Sequence, residues 1–116
     1  MIKSFITVRT QFEGFHHYPN ASDIDPRIKF LETTHRHIFK VNAKIQVFGL
    51  DRELEFFLVK WYLNEFITET DMDNKSCEMI ALDILNHLQA KYGVDRQYEI
   101  IVSEDGESDG IIEYLP

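Results

Sequence analysis

Cysteine is nearly absent from this chain. Its one copy, Cys77, cannot form an intramolecular disulfide, and a lone thiol fits a reducing compartment. Long apolar runs are missing as well. None approaches the ~18 residues needed to cross a bilayer, and the first residues, MIKSFITVRTQ, lack the apolar stretch of a secretory signal. Positive charge is scarce: 12 Lys and Arg stand against 20 Asp and Glu, a net charge of −8. Phosphate backbones and anionic membranes both reward clustered cations, so neither nucleic acid nor a membrane is expected as a partner. There is no internal repeat, low-complexity tract or interdomain linker. The expectation is one cytoplasmic domain over residues 1–116.

What is present is a folding sequence. Hydrophobic residues make up 44% and aromatics 13% of 116 residues, enough for a single core. Residues 2–12 alternate, with Ile2, Ile6, Val8 and Phe12 on one parity, which predicts a strand with one buried face. Residues 36–48 alternate more cleanly. Phe39, Val41, Ala43, Ile45 and Val47 point one way and Lys40, Asn42, Lys44 and Gln46 the other, the pattern of an antiparallel strand with one wet face.

Asp51 suits the cap of a helix running to about residue 67, with Leu54, Leu58, Trp61, Tyr62 and Phe66 as its core stripe. Phe56, Val59, Leu63 and Ile67 form a second apolar face, as on a helix covered from two sides, for example by another subunit. A second helix is expected from Ser76 to just before Gly93, burying Cys77, Ala81, Ile84, Leu85, Leu88 and Tyr92. Two further strands, 97–104 and 110–115, flank an acidic turn of Glu104, Asp105, Glu107 and Asp109 that reads as solvated. The predicted class is α+β, in the order β-β-α-α-β-β. Residues 13–34 form a long connection without periodicity, bounded by histidine at both ends, which favours a functional role.

Parity sorts the five histidines. His35 and His37 share the inward parity of Phe39 and Val41, and His16 continues that of Ile6, Val8 and Phe12. An antiparallel hairpin of the first two strands lays the end of one beside the start of the other, so three imidazoles converge at one mouth of the core. Neutral imidazole is a good zinc ligand, and three protein ligands leave a fourth position open, the arrangement of a catalytic Zn2+. His17 falls on the opposite parity, and His87, on the second helix, reads as structural.

The segments FEGFH (12–16), ETTHRHIFKV (32–41), LEFFLVK (54–60), SCEMIALDIL (76–85) and VSEDGESDGIIEY (102–114) occur in that order. With them the chain resembles the 6-pyruvoyl-tetrahydropterin synthase and 6-carboxytetrahydropterin synthase family, of the tunnelling (T-) fold. The resemblance implies a four-stranded antiparallel sheet with two helices on one face. It implies zinc on His16, His35 and His37, and a substrate ring anchored by Glu104. It also implies a pterin-like or 7-deazaguanine-precursor substrate, lyase chemistry, and a homo-oligomer of three or six chains. Physically, a carboxylate at a strand end can accept two N–H bonds from the amidine-like edge of a pterin.

The sequence also departs from that family. Leu31 stands where most members carry a cysteine, four residues before the His-x-His. Glu32 instead resembles a branch in which a glutamate replaces that cysteine as acid/base. Of the family's Asp-His pair, Asp71 matches and Met72 does not, so Glu32 and Asp71 are the candidate proton-moving residues. Arg36 replaces the glycine between the zinc histidines. Two other readings stay open: a family member that has lost its chemistry and serves as a binding or assembly module, and a structural zinc site.

Overall fold

Strand β1, Ser4–His16, and strand β2, His35–Val47, pair antiparallel over their full lengths of 13 residues each. The computed structural model describes residues 1–67 and 71–116. Helices α1, Phe56–Glu65, and α2, Cys77–Tyr92, follow, and then strands β3, Tyr98–Glu104, and β4, Ser108–Tyr114. All four strands form one sheet in the order β1-β2-β3-β4, each pair antiparallel. The expected α+β class and β-β-α-α-β-β order are those observed. Among the described residues, no helix is long and apolar enough to cross a membrane.

Both helices lie on one face of the sheet, α1 against β1 and α2 against β3 and β4. The core between them joins Val8 and Phe12 of β1, Phe39, Val41, Ala43 and Ile45 of β2, and Ile100 and Val102 of β3. The helices contribute Val59 and Leu63 of α1, and Ile80, Ala81, Ile84, Leu85 and Leu88 of α2. Burying each large aliphatic side chain stabilises the fold by roughly 1.5–3 kcal/mol. The Ser76 hydroxyl caps α2 by accepting the Met79 N–H at 3.2 Å, and Gly93 ends it at φ +93°, a conformation glycine adopts without a Cβ penalty.

Four expectations need correction. Ile2 precedes β1 and is exposed, while the strand runs on to His16. The extension is possible because a Cβ on Gly14 would lie 2.7 Å from the fully buried ring of Phe39, so only glycine lets the two strands close there. Helix α1 is not capped by Asp51. Arg52 sits at φ +55°, which a right-handed helix cannot contain, and Glu53 turns back to accept N–H bonds from Phe48 and Gly49. Glu55 is the cap, accepting the Leu58 N–H at 2.9 Å.

The inward stripe of α1 is also reassigned. Val59 and Leu63 are buried, with Tyr62, Phe66 and Ile67 partly so, whereas Phe56, Phe57, Leu58 and Trp61 face outward. A helix apolar all round offers two stripes of similar strength, and packing on β1 selects between them. Finally, 13–34 is not without structure: beyond β1 it contains two short 3₁₀ segments, Ala21–Asp23 and Pro26–Glu32.

The two helices are also locked side chain to backbone. Tyr62 donates its hydroxyl to the His87 carbonyl at 2.6 Å, the His87 ring bonds the Tyr62 carbonyl at 2.6 Å, and the rings stack 4.1 Å apart. His87 is thus structural, as its position suggested.

At the opposite end of α2, the helix start approaches β4 so closely that a Cβ on Gly110 would lie 2.6 Å from the Glu78 nitrogen. Backbone offers no flexible group to move aside. Gly110→Ala is therefore expected to destabilise the chain by about 1–3 kcal/mol, the usual range for overpacking. Urea denaturation of the two proteins, read by circular dichroism, checks it.

Candidate metal centre

The register of β1 on β2 places His16 opposite His35 and Gly14 opposite His37. All three histidines lie beyond the Phe12–Phe39 aromatic stack, and the ring of Phe39 forms the floor under His16 and His37, 5.2 and 5.7 Å away edge to face. The imidazole centroids are 4.7, 5.0 and 5.1 Å apart, with planes crossed by 70–85°. One ligating nitrogen from each ring lies within 4.8 Å of the others. His16 is buried and the other two are partly so.

Each Nδ1 is tied to an acceptor. His16 bonds the Lys75 carbonyl at 2.8 Å, His35 the Thr33 carbonyl at 2.8 Å, and His37 the Asp105 carboxylate at 2.7 Å. Carbonyl and carboxylate oxygens only accept, so each Nδ1 carries the proton, and in the neutral ring Nε2 keeps a bare lone pair. These lone pairs have no hydrogen-bond partner at His16 and His37, although both Nε2 atoms are buried.

The Glu104 carboxylate stands 3.3 Å from His16 Nε2 and 3.5 Å from His37 Nε2. Those separations are within ion-pair range, yet neither contact is a hydrogen bond. Lone pairs then face lone pairs. Protonating His16 does not resolve the opposition, because burial holds that ring below the usual imidazole range against the raising effects of Lys75 and Glu104. A divalent cation among the rings would resolve it, and three imidazoles form a donor set suited to zinc. The residues fit a metal.

The centre opens into a cavity of about 500 Å³ whose lining includes His16, His35, Leu31, Cys77, Glu104 and Gly110. The Cys77 thiol lies 3.9 Å from Glu104 Oε1, and burial, reinforced by the charge of Glu104, pushes its pKa up to about 12.

Two of the six candidate site residues lie elsewhere. The Glu32 carboxylate accepts from the Ser22 N–H at 2.9 Å and its hydroxyl at 2.5 Å, which hold it below the usual carboxyl range, and it does not line the cavity. Asp71 is exposed beside the end of β1, where it makes a bridge with Phe15, and its carboxylate accepts the Asp73 N–H. It does not line the cavity either. In the other direction, Asp105 was expected to be part of a solvated turn, and it touches His37. An aspartate ahead of a glycine signals only the turn; nothing local in the sequence points to a histidine 68 residues earlier.

Because the Cys77 thiol stays protonated and buried, the folded protein is expected to resist iodoacetamide at pH 8, with alkylation at least a hundredfold slower than in the unfolded chain. Mass spectrometry of timed samples measures the two rates.

No family model and no curated protein matches the sequence. Solved structures do. A 6-pyruvoyl tetrahydropterin synthase from Plasmodium vivax superposes with a TM-score of 0.74 at 14% identity, covering 100% of both chains. A variant of that protein with a catalytic glutamate replaced by alanine matches equally well. The synthase from Caenorhabditis elegans gives a TM-score of 0.71 at 12% identity, over 100% of this chain and 97% of that one. The archaeosine synthase QueF-Like gives 0.52 at 16% identity, over 95% and 96%. At these identities the likeness is one of architecture: the chain has the T-fold on which the 6-pyruvoyl tetrahydropterin synthases are built.

Proposed function

We propose that this chain is a zinc-dependent lyase acting on a pterin-like or 7-deazaguanine-precursor substrate. The observation that carries the reading is the convergence of bare, buried Nε2 lone pairs at the mouth of a cavity that Glu104 also lines. His16, His35 and His37 would hold the zinc. When bound, such a zinc supplies Lewis acidity toward an oxygen of the substrate side chain and lowers the pKa of groups attached there. Glu104 would accept two N–H bonds from the substrate ring, and the cavity walls, including Leu31 and the protonated Cys77, would exclude water from it.

Glu32 is the proposed proton-moving residue, with Asp71 as a second candidate. The precedent is the catalytic glutamate of the Plasmodium vivax protein. Held ionised by Ser22, Glu32 has the charge state of a base at neutral pH. To act, it must exchange the Ser22 hydroxyl and N–H for a substrate proton, a rearrangement of the 3₁₀ segment that carries it.

The chain is further proposed to assemble with copies of itself. Among the described residues its sheet ends on β1 and β4, and β1 is bridged at Phe15 by Asp71. The wet face is split in charge, with Arg9, Lys40 and Lys44 on β1 and β2 and Glu99, Asp109 and Glu113 on β3 and β4. A β4 edge laid along the β1 edge of the next copy would continue the sheet and oppose unlike charges, and head-to-tail contacts of this kind close into rings. A free thiol and an acidic surface suit a cytoplasmic setting.

A second reading is supported by a specific observation: Glu32 and Asp71 both lie outside the cavity lining, as in a module that binds ligand without transforming it. Turnover of dihydroneopterin triphosphate separates the two. The wild type is expected to carry about one zinc per chain by elemental analysis and to form product. His35→Ala should lose the metal and the activity together, while Glu32→Gln should keep the metal and lose roughly 10²–10⁴-fold in turnover. Pterin binding without product in any variant would establish the module instead. Light scattering on the same samples gives the assembly state.

A further inference from the structure

We propose that Asp105 is a positioning residue for this metal centre, its carboxylate fixing the tautomer and aim of His37. The inference rests on the metal reading above and adds a residue to it. Of the three groups that hold the Nδ1 atoms, two are backbone carbonyls, those of Lys75 and Thr33. Asp105 alone is a side chain, and it alone brings a charge.

Its placement is tightly determined. Oδ2 accepts from His37 Nδ1 at 2.7 Å, while Oδ1 accepts the N–H of the next residue, Ile38, at 2.8 Å. The Asp105 N–H in turn donates to the Ile38 carbonyl at 2.8 Å. One carboxylate thus grips both the ring and the backbone beside it. The backbone reaches this pose through φ +56°, a left-handed conformation that aspartate and asparagine tolerate better than most residues.

The consequence falls on His37 Nε2. With Oδ2 able only to accept, the proton stays on Nδ1 and Nε2 faces the other two rings as a donor atom. The negative charge also increases the electron density the ring offers to a cation. His16 and His35 cannot lose their partners by substitution, since carbonyls are common to every residue. His37 can.

Asp105→Asn tests this with little change of shape, because asparagine keeps the left-handed backbone and an oxygen for the Ile38 N–H. Its amide nitrogen then faces His37 Nδ1 as a donor, which drives the ring proton to Nε2, the wrong tautomer for a ligand. Zinc affinity at pH 7.5, measured by competition with a chromophoric chelator, is expected to fall by about 10–100-fold. Nitrogen-15 NMR of the metal-free rings is expected to show His37 alone changing tautomer, which a purely structural role for Asp105 would not produce. Asp105→Ala, which releases the ring without imposing the wrong tautomer, should give a smaller loss of affinity. Equal affinity in wild type and Asp105→Asn, or an unchanged His37 tautomer, overturns the role of Asp105 and leaves the metal reading intact. A wild type that binds no zinc overturns both. Matching circular dichroism of the metal-free proteins separates a change at the centre from a loss of fold.

Discussion

The register between β1 and β2 is the constraint on which the rest depends. With Phe12 opposite Phe39 and His16 opposite His35, each strand sends its apolar residues into the core and continues the same parity into imidazoles at one end. A slip of one residue would carry an entire set to the wet face. Core and candidate centre are therefore one pattern read at two ends, and the buried aliphatic side chains that hold the sheet to α1 and α2 also hold the rings in place. Gly14 completes the arrangement by leaving room for Phe39 beneath them.

Local pattern made much of this legible. Period-two alternation marked the strands, and an apolar stripe starting near Ser76 and stopped by Gly93 marked α2 to within a residue. Because β-parity is unambiguous near a well-patterned core, the three histidines group together from the sequence alone. What stayed hidden was decided elsewhere in the chain. The inward side of α1 depends on which stripe meets β1, and both stripes were apolar. The start of α1 depends on a left-handed Arg52, which no helical periodicity announces. The setting of Glu32 depends on Ser22, and that of Asp105 on His37, contacts that no local period encodes.

Two kinds of candidate chemistry occupy different places in the molecule. The groups suited to holding a metal and a flat polar ring lie together: His16, His35 and Glu104 line one cavity, and His37 stands beside them. The acids suited to moving protons stand outside it, each already serving as acceptor for a nearby N–H. On the proposed reading the binding groups are preformed, whereas proton transfer by Glu32 or Asp71 would require movement of a segment or the approach of a neighbouring copy. The charge division of the wet sheet face is compatible with the second course, since a net charge of −8 would otherwise drive copies apart.

Two of the three groups that anchor the rings come from distant parts of the chain, while Thr33 lies two residues from His35, and this has a consequence for the order in which the molecule forms. Pairing of β1 with β2 closes a loop of modest length, but the anchor of His16 lies 59 residues away and that of His37 lies 68. Contacts of such long range are late to form, because loop closure must precede them. The hairpin can thus exist with its imidazoles adjacent but free to turn, and they become a defined ligand set only once the start of α2 and the turn after β3 have docked. Capture of a metal ion would then mark the end of folding rather than its beginning, unlike a zinc finger, in which the ion nucleates the structure.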